Sequence, residues 1–242
     1  MSIKKKLLIV ALSLFVLIQI ALTITIYIVD RNNLIPVSSI DKIRYFGIIL
    51  CVICSFFMVN KKKSYFLIAG LSFTLLADYI LLILDDYYAL GISFFIIVQA
   101  LYFLYVQPKK WQISLLIRGI IFLVAVIVVC FVLEVHEAAA YVAAFYFTNL
   151  FCNAVDAYIK DRSLLLFAIG LTLFIGCDVL VAFFNLSHYI HYSSSFVRAL
   201  VEFSQEGMWL FYLPSQTLIA LSPLFQELYL KRKELKSSNC GD

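Results

Sequence analysis

The chain has 242 residues, of which 64% are apolar and only 14% charged. Soluble domains run at about 45–50% apolar and about 25% charged, so a soluble globular core and a disordered chain are both excluded. The formal net charge of +4 comes from Lys and Arg clusters between apolar runs. Cytoplasmic loops of membrane proteins have that pattern, and it gives no ground for a nucleic-acid partner.

A bilayer-spanning helix needs about 20 apolar residues. Read against breakers and charges, the chain predicts eight spans, at residues 7–29, 43–59, 64–84, 88–106, 113–133, 138–159, 164–185 and 208–230. A transmembrane barrel would alternate apolar and polar residues within ten-residue stretches, whereas these runs are continuous. The expected fold is an all-α polytopic membrane helix bundle, one integral-membrane domain over residues 1–242 with the lipid bilayer as its surroundings. Met1 to Lys6 ahead of the first run looks like the start of a signal peptide. That run exceeds an h-region and lacks an Ala-x-Ala site, so it reads as an uncleaved span.

Loop charges set the orientation. With eight spans, Lys4–Lys6, Lys61–Lys63, Lys109, Lys110, Arg118, Lys160, Arg162, Lys231, Arg232, Lys233 and Lys236 fall on one side. The other side carries Asp85, Asp86, Glu134, Glu137, Glu202 and Glu206 with few basic residues. The positive-inside rule then places both termini in the cytoplasm of a cell whose plasma membrane holds the protein. One outer segment, 186–207, is longer than the other loops. It contains His188, His191 and Ser193–Ser195, then Phe196, Val197, Leu200, Val201 and Phe203 at helical spacing. It reads either as a short interfacial helix or as an outward extension of the last span. The two His read as interfacial residues.

An internal echo recurs at an offset of 100 residues: Gly70-Leu71-Ser72 precedes Asp78 as Gly170-Leu171-Thr172 precedes Asp178. This fits a parallel 4+4 repeat. Asp78 and Asp178 are also the strongest functional pointers, because a central Asp costs about 2.5–3.5 kcal/mol on insertion scales. Asp78 lies 15 residues past Lys63 and Asp178 lies 16 past Arg162. At about 1.5 Å per residue, both carboxyls sit at matching depth, about 22–24 Å from the basic boundary, and are expected to share a cavity. Gln99 and Tyr102 are candidates to line it. So are Asn149 and Asn153 on one face of the sixth span, and Tyr212 and Gln216 four apart in the eighth. Asp156, on the same face as the two Asn, reads as an interfacial partner of Lys160.

Other chemistries leave no trace. The six Cys lie mostly in apolar runs, and Cys51-Val-Ile-Cys54 has no second pair or His nearby. No metal site and no cofactor is expected. No Gly-x-Ser-x-Gly elbow, His-Glu-x-x-His pair or phosphate loop occurs.

Gly70-Leu71-Ser72-Phe73-Thr74-Leu75-Leu76-Ala77-Asp78 and the run from Gly91 to Tyr102 resemble the lysoplasmalogenase (YhhN-like) family. So do Leu173-Phe174-Ile175-Gly176-Cys177-Asp178 and the run from Tyr212 to Ser222. The resemblance covers about residues 64–222 and implies an eight-span fold. It also implies hydrolysis of the vinyl ether of a lysoplasmalogen, a lysophospholipid-like substrate, to a fatty aldehyde and a glycerophospho-alcohol without a metal. Carried over, the family's two aspartates match Asp78 and Asp178, and its closing Tyr and Gln match Tyr212 and Gln216. This chain has Ala77 where the family has Gly, Cys177 where it has Ser, and Gln99 where it has His. Gln can hydrogen-bond but cannot exchange a proton near neutral pH.

Two carboxyls suit that reaction. One donates a proton to carbon, and the other stabilises the resulting oxocarbenium ion and orients water. An apolar bundle suits the single chain of the lipid, and the outer loop or inner lysines suit its phosphate. The same residues also fit a proton-coupled small-molecule transporter, which would show discontinuous helices near midspan, or a protein that binds lipid or a partner without turnover.

Overall fold

The computed structural model describes residues 3–32, 34–58, 64–186 and 194–238. Lys61–Lys63, His188, His191, Ser193 and Cys240 lie outside the described residues. Apart from short connections, the described residues are helical. Helix α1 (Ile3–Asn32) is followed by α2 (Val37–Phe57) and by α3 (Ser64–Asp78), which runs straight into a π-helical turn (Tyr79–Leu84). Next come α4 (Tyr88–Val106) and α5 (Trp111–Ile127), the latter ending in a second π-helical turn (Val128–Val132). After α6 (Ala138–Lys160), a 3-10 turn (Arg162–Leu164) leads into α7 (Leu165–Leu186), and α8 (Ser195–Ser238) closes the described chain.

Among the described residues, seven of these helical stretches are long and apolar enough to cross a membrane, all but α2. The remaining span expected from sequence, residues 43–59, falls on α2, which has 21 residues. Asp41, Lys42 and Arg44 occupy its first turns, so any stretch of α2 long enough to span contains all three charges. Two of the three are held: Arg44 donates to Asp30 at 2.5 Å and to Asp41 at 2.6 Å, and its guanidinium lies 4.7 Å from the centre of the Trp209 ring.

Residues 195–207, for which sequence left two readings open, form the first turns of α8, a single 44-residue helix. Two prolines lie inside it. Pro223 has no N–H to offer the Ile219 carbonyl one turn back, and Ser222 Oγ supplies the missing bond at 2.8 Å.

The interior is built by α7 and α8, which form the most extensive helix pair, together with α3, α4 and α6. With no hydrophobic drive between helices in lipid, close approach depends on small residues. At Gly170, an added Cβ would fall 3.1 Å from the Ser215 carbonyl oxygen and 3.2 Å from the Ile219 nitrogen. At Gly70, it would fall 2.4 Å from the Tyr102 ring. Leu67, Leu71, Tyr102, Leu150, Phe167, Leu171, Phe174, Leu213 and Ile219 fill the core between these helices. Helix α1 packs on α2 and α8, and α5 stands outside the bundle against α6. Lys160 at the end of α6 bonds the carbonyls of Val106 and Gln107, closing the C-terminus of α4 with a cation.

Candidate functional site

Asp78 is the last residue of α3 before the chain widens into the π turn, and it is 4% exposed. The hydroxyl of Tyr212 on α8 donates to both of its carboxylate oxygens, at 2.8 and 2.7 Å. Asp178 on α7 is half-buried, and the hydroxyl of Tyr146 on α6 donates to its Oδ2 at 2.5 Å. Each carboxyl is therefore held by a tyrosine from a different helix.

One ring joins the two pairs. Phe174, one turn before Asp178, has its ring 5.3 Å from that of Tyr212 and 6.3 Å from that of Tyr146. Phe95 completes the aromatic wall, 5.3 Å from Tyr146 and 5.7 Å from Phe174. Tyr146 lies within electrostatic reach of both Asp78 and Asp178. On the far side of Tyr212, Trp209 stands edge-on at 5.3 Å and leads to Arg44. The arrangement is chemically simple: two acid groups, each with a phenol to hold its oxygens, face an apolar aromatic wall.

The remaining expected residues divide between this site and a second cluster. Tyr102 is fully buried, edge-on to Phe167 at 5.2 Å. Gln216 is fully buried one turn along α8 from Tyr212 and donates to Ser215 Oγ at 3.3 Å. Gln99 faces α6, where Asn153 Nδ2 donates to its side-chain and backbone oxygens at 2.9 Å. Asn149 and Asn153 do not meet the carboxyl pair. Their Oδ1 atoms accept from Arg118 at 3.0 and 2.9 Å.

Two expectations need correction here. Arg118, grouped by sequence with the loop lysines, is 5% exposed inside the bundle. Asp156, expected to pair with Lys160, instead accepts from Arg118 Nη2 at 2.7 Å and from Ser114 Oγ at 2.7 Å. The Arg118 guanidinium also lies 4.8 Å from the centre of the Phe103 ring. It borders a crevice of about 260 Å3, lined with Ala100, Phe103, Leu104, Leu115 and Asn149, which is separate from the carboxyl pair.

Tyr146 was not among the expected residues. Its signal was its register, since Tyr146, Asn149 and Asn153 follow i, i+3, i+7 and so share one face of α6. Among the described residues, no three His, Cys, Asp or Glu side chains come together as a metal site would require.

The model of the YhhN family matches residues 42–223, about three quarters of the chain, from α2 through both carboxyl–tyrosine pairs to Pro223 of α8. The chain belongs to the YhhN family. A comparison with curated proteins and with solved structures finds no match. The YhhN match takes in every residue named in the site, Arg44 and Tyr146 included.

Proposed function

We propose that this YhhN-family protein is a membrane hydrolase that cleaves the vinyl ether of a lysoplasmalogen-like lipid, using Asp78 and Asp178. The observation that carries the reading is the pair of carboxyls, each held by its own tyrosine, around the shared ring of Phe174. The family match supports the same class of chemistry. One carboxylic acid gives its proton to the vinyl carbon, and the second carboxylate faces the oxocarbenium ion that results. Tyr212 and Tyr146 fix the carboxyl orientations, so little reorganisation accompanies the proton transfer. The aromatic wall receives the alkenyl chain beside the reacting carbon. Helix α7 runs unbroken past Asp178, and at Asp78 the chain passes from α3 into a π turn without leaving the helix, so neither carboxyl sits at a broken helix of the transporter kind.

The topology that goes with this function counts α2 among eight spans, with both termini in the cytoplasm and the carboxyl pair in the outer half of the plasma membrane. The 100-residue echo is read as a 4+4 duplication, and residues 1–242 as one domain. The decisive experiment is aldehyde release from a 1-alkenyl lysophospholipid by the purified chain in detergent. Folded wild-type protein that releases no aldehyde overturns the proposal.

A further inference from the structure

Four buried polar atoms close to the Asp78–Tyr212 pair have no hydrogen-bond partner: the Thr74 and Tyr102 hydroxyls and the Oε1 atoms of Gln19 and Gln216. None of these residues is more than 2% exposed. Thr74 precedes Asp78 by four residues on α3, and Gln216 follows Tyr212 by four on α8. The two helices run in opposite directions, so both residues sit one turn below the carboxyl on the faces that carry it. The Thr74 and Tyr102 hydroxyls approach each other without closing a good hydrogen bond. Gly70 leaves room for the Tyr102 ring that brings its hydroxyl there. On the remaining side, Gln19 Nε2 donates to Cys51 Sγ at 3.3 Å, and Cys51 lies within electrostatic reach of Tyr102 and of Asp78. The four side chains thus lie around Cys51 and the inner side of the Asp78–Tyr212 pair, in an otherwise apolar core.

The chemistry of these side chains is lopsided. Two amide oxygens can only accept, and two hydroxyls each donate once while still accepting. Small donor-rich groups satisfy such atoms, whereas leaving them bare incurs the desolvation cost of each. Water has two donors and two acceptors, and buried water sits where two to four polar partners converge.

We infer that this region is a site for ordered water and that it supplies the water consumed at the carboxyl pair. The inference rests on the hydrolase reading above. In that reaction, the acid's proton adds to the vinyl carbon remote from oxygen, leaving an oxocarbenium ion. The water oxygen bonds to the cationic carbon, and a water proton returns to the carboxylate. The hemiacetal then breaks its bond to the glycerol oxygen, its hydroxyl proton passes to that oxygen, and aldehyde and alcohol leave. Thr74, Tyr102, Gln19 and Gln216 act as positioning residues through the water.

The test is X-ray radiolytic footprinting of the full chain in detergent, paired with kinetics. Radicals born from bound water modify their neighbours, so Cys51 and Tyr102, both fully buried, are expected to be labelled well above buried Phe167 once all rates are normalised to intrinsic side-chain reactivity. Thr74→Val and Gln216→Leu should each weaken that labelling and lower kcat about tenfold, roughly the worth of one hydrogen bond, with KM held within about twofold. Thr74→Ser should restore both. Labelling of Cys51 and Tyr102 no greater than that of Phe167, together with a higher Tm for Thr74→Val, overturns the water site even if the wild type releases aldehyde. Strong labelling without aldehyde release overturns the hydrolase reading, and with it the use assigned to the water, while the hydration site stands.

Discussion

Replacing Arg118 with Leu isolates what holds α5 in place. Helix α5 buries only Ser114 and Arg118. The Arg118 guanidinium makes five bonds: to Ser114 Oγ at 3.2 Å, to the Asn149 backbone and side-chain oxygens at 3.3 and 3.0 Å, to Asn153 at 2.9 Å and to Asp156 at 2.7 Å. The two charged side chains are 6% and 17% exposed, so water does little to screen the pair. Removing one partner of a buried ion pair costs about 3–5 kcal/mol, whereas replacing both with apolar groups is often close to neutral. Arg118→Leu leaves the Asp156 carboxyl without its cation, with Ser114 as its remaining donor. The expected loss is therefore about 3–5 kcal/mol, and Arg118→Leu/Asp156→Leu should recover most of it. Reversible unfolding in mixed micelles, run as a double-mutant cycle, reads both numbers. A loss below about 0.5 kcal/mol for the single variant, with no coupling in the cycle, would be no more than an exposed pair contributes. That result would refute the argument that this clamp attaches α5.

Further outcomes follow from the same structure. Asp78→Asn and Asp178→Asn should each lower the rate of aldehyde release by about 10²–10⁴, and the double variant should lose little more, because groups acting as a unit are not additive. Full activity at normal expression in either single variant removes that carboxyl from the mechanism. Gly170→Val should cost about 1–3 kcal/mol from overpacking, since its Cβ meets backbone of α8; Gly119→Ala, with nothing within 4 Å, is the neutral comparison in the same unfolding assay. A single Cys introduced at Asp86 or Ser194 should react with an impermeant thiol reagent on intact cells. Labelling that appears only after permeabilisation overturns the proposed orientation.

The helices were legible in the sequence because continuous apolar runs and charged breakers speak directly to lipid. Other features were hidden for physical reasons. The full length of α8 was ambiguous because residues 195–207 carry helical spacing and interfacial polarity together. Arg118 reads as a loop cation because a lone charge near the start of an apolar run looks the same whether it meets water or a buried Asp156. Only the packing of α6 against α5 distinguishes them. Asn149 and Asn153 share one face of α6, but a face does not name its neighbours, which are α5 for both and α4 as well for Asn153. Tyr146 carries no local mark of its role, because a tyrosine well inside an apolar run reads equally as core packing. Its partner, Asp178, is on the next helix, and no local pattern encodes that contact.

The near-bare surface of α5 also bears on how the chain is made. Its principal partner, α6, is synthesised after it, so α5 enters lipid with its docking surface still missing. Its apolar flanks suffice for insertion, which in the two-stage view precedes helix association. Arg118 lies seven residues past Trp111, about 10 Å along the helix, close enough for a long side chain to reach the interface while it waits. When α6 arrives, Asp156, Asn153 and Asn149 draw that cation inward. In this sequence of events, Arg118 is tolerated during insertion and then latches α5 onto α6.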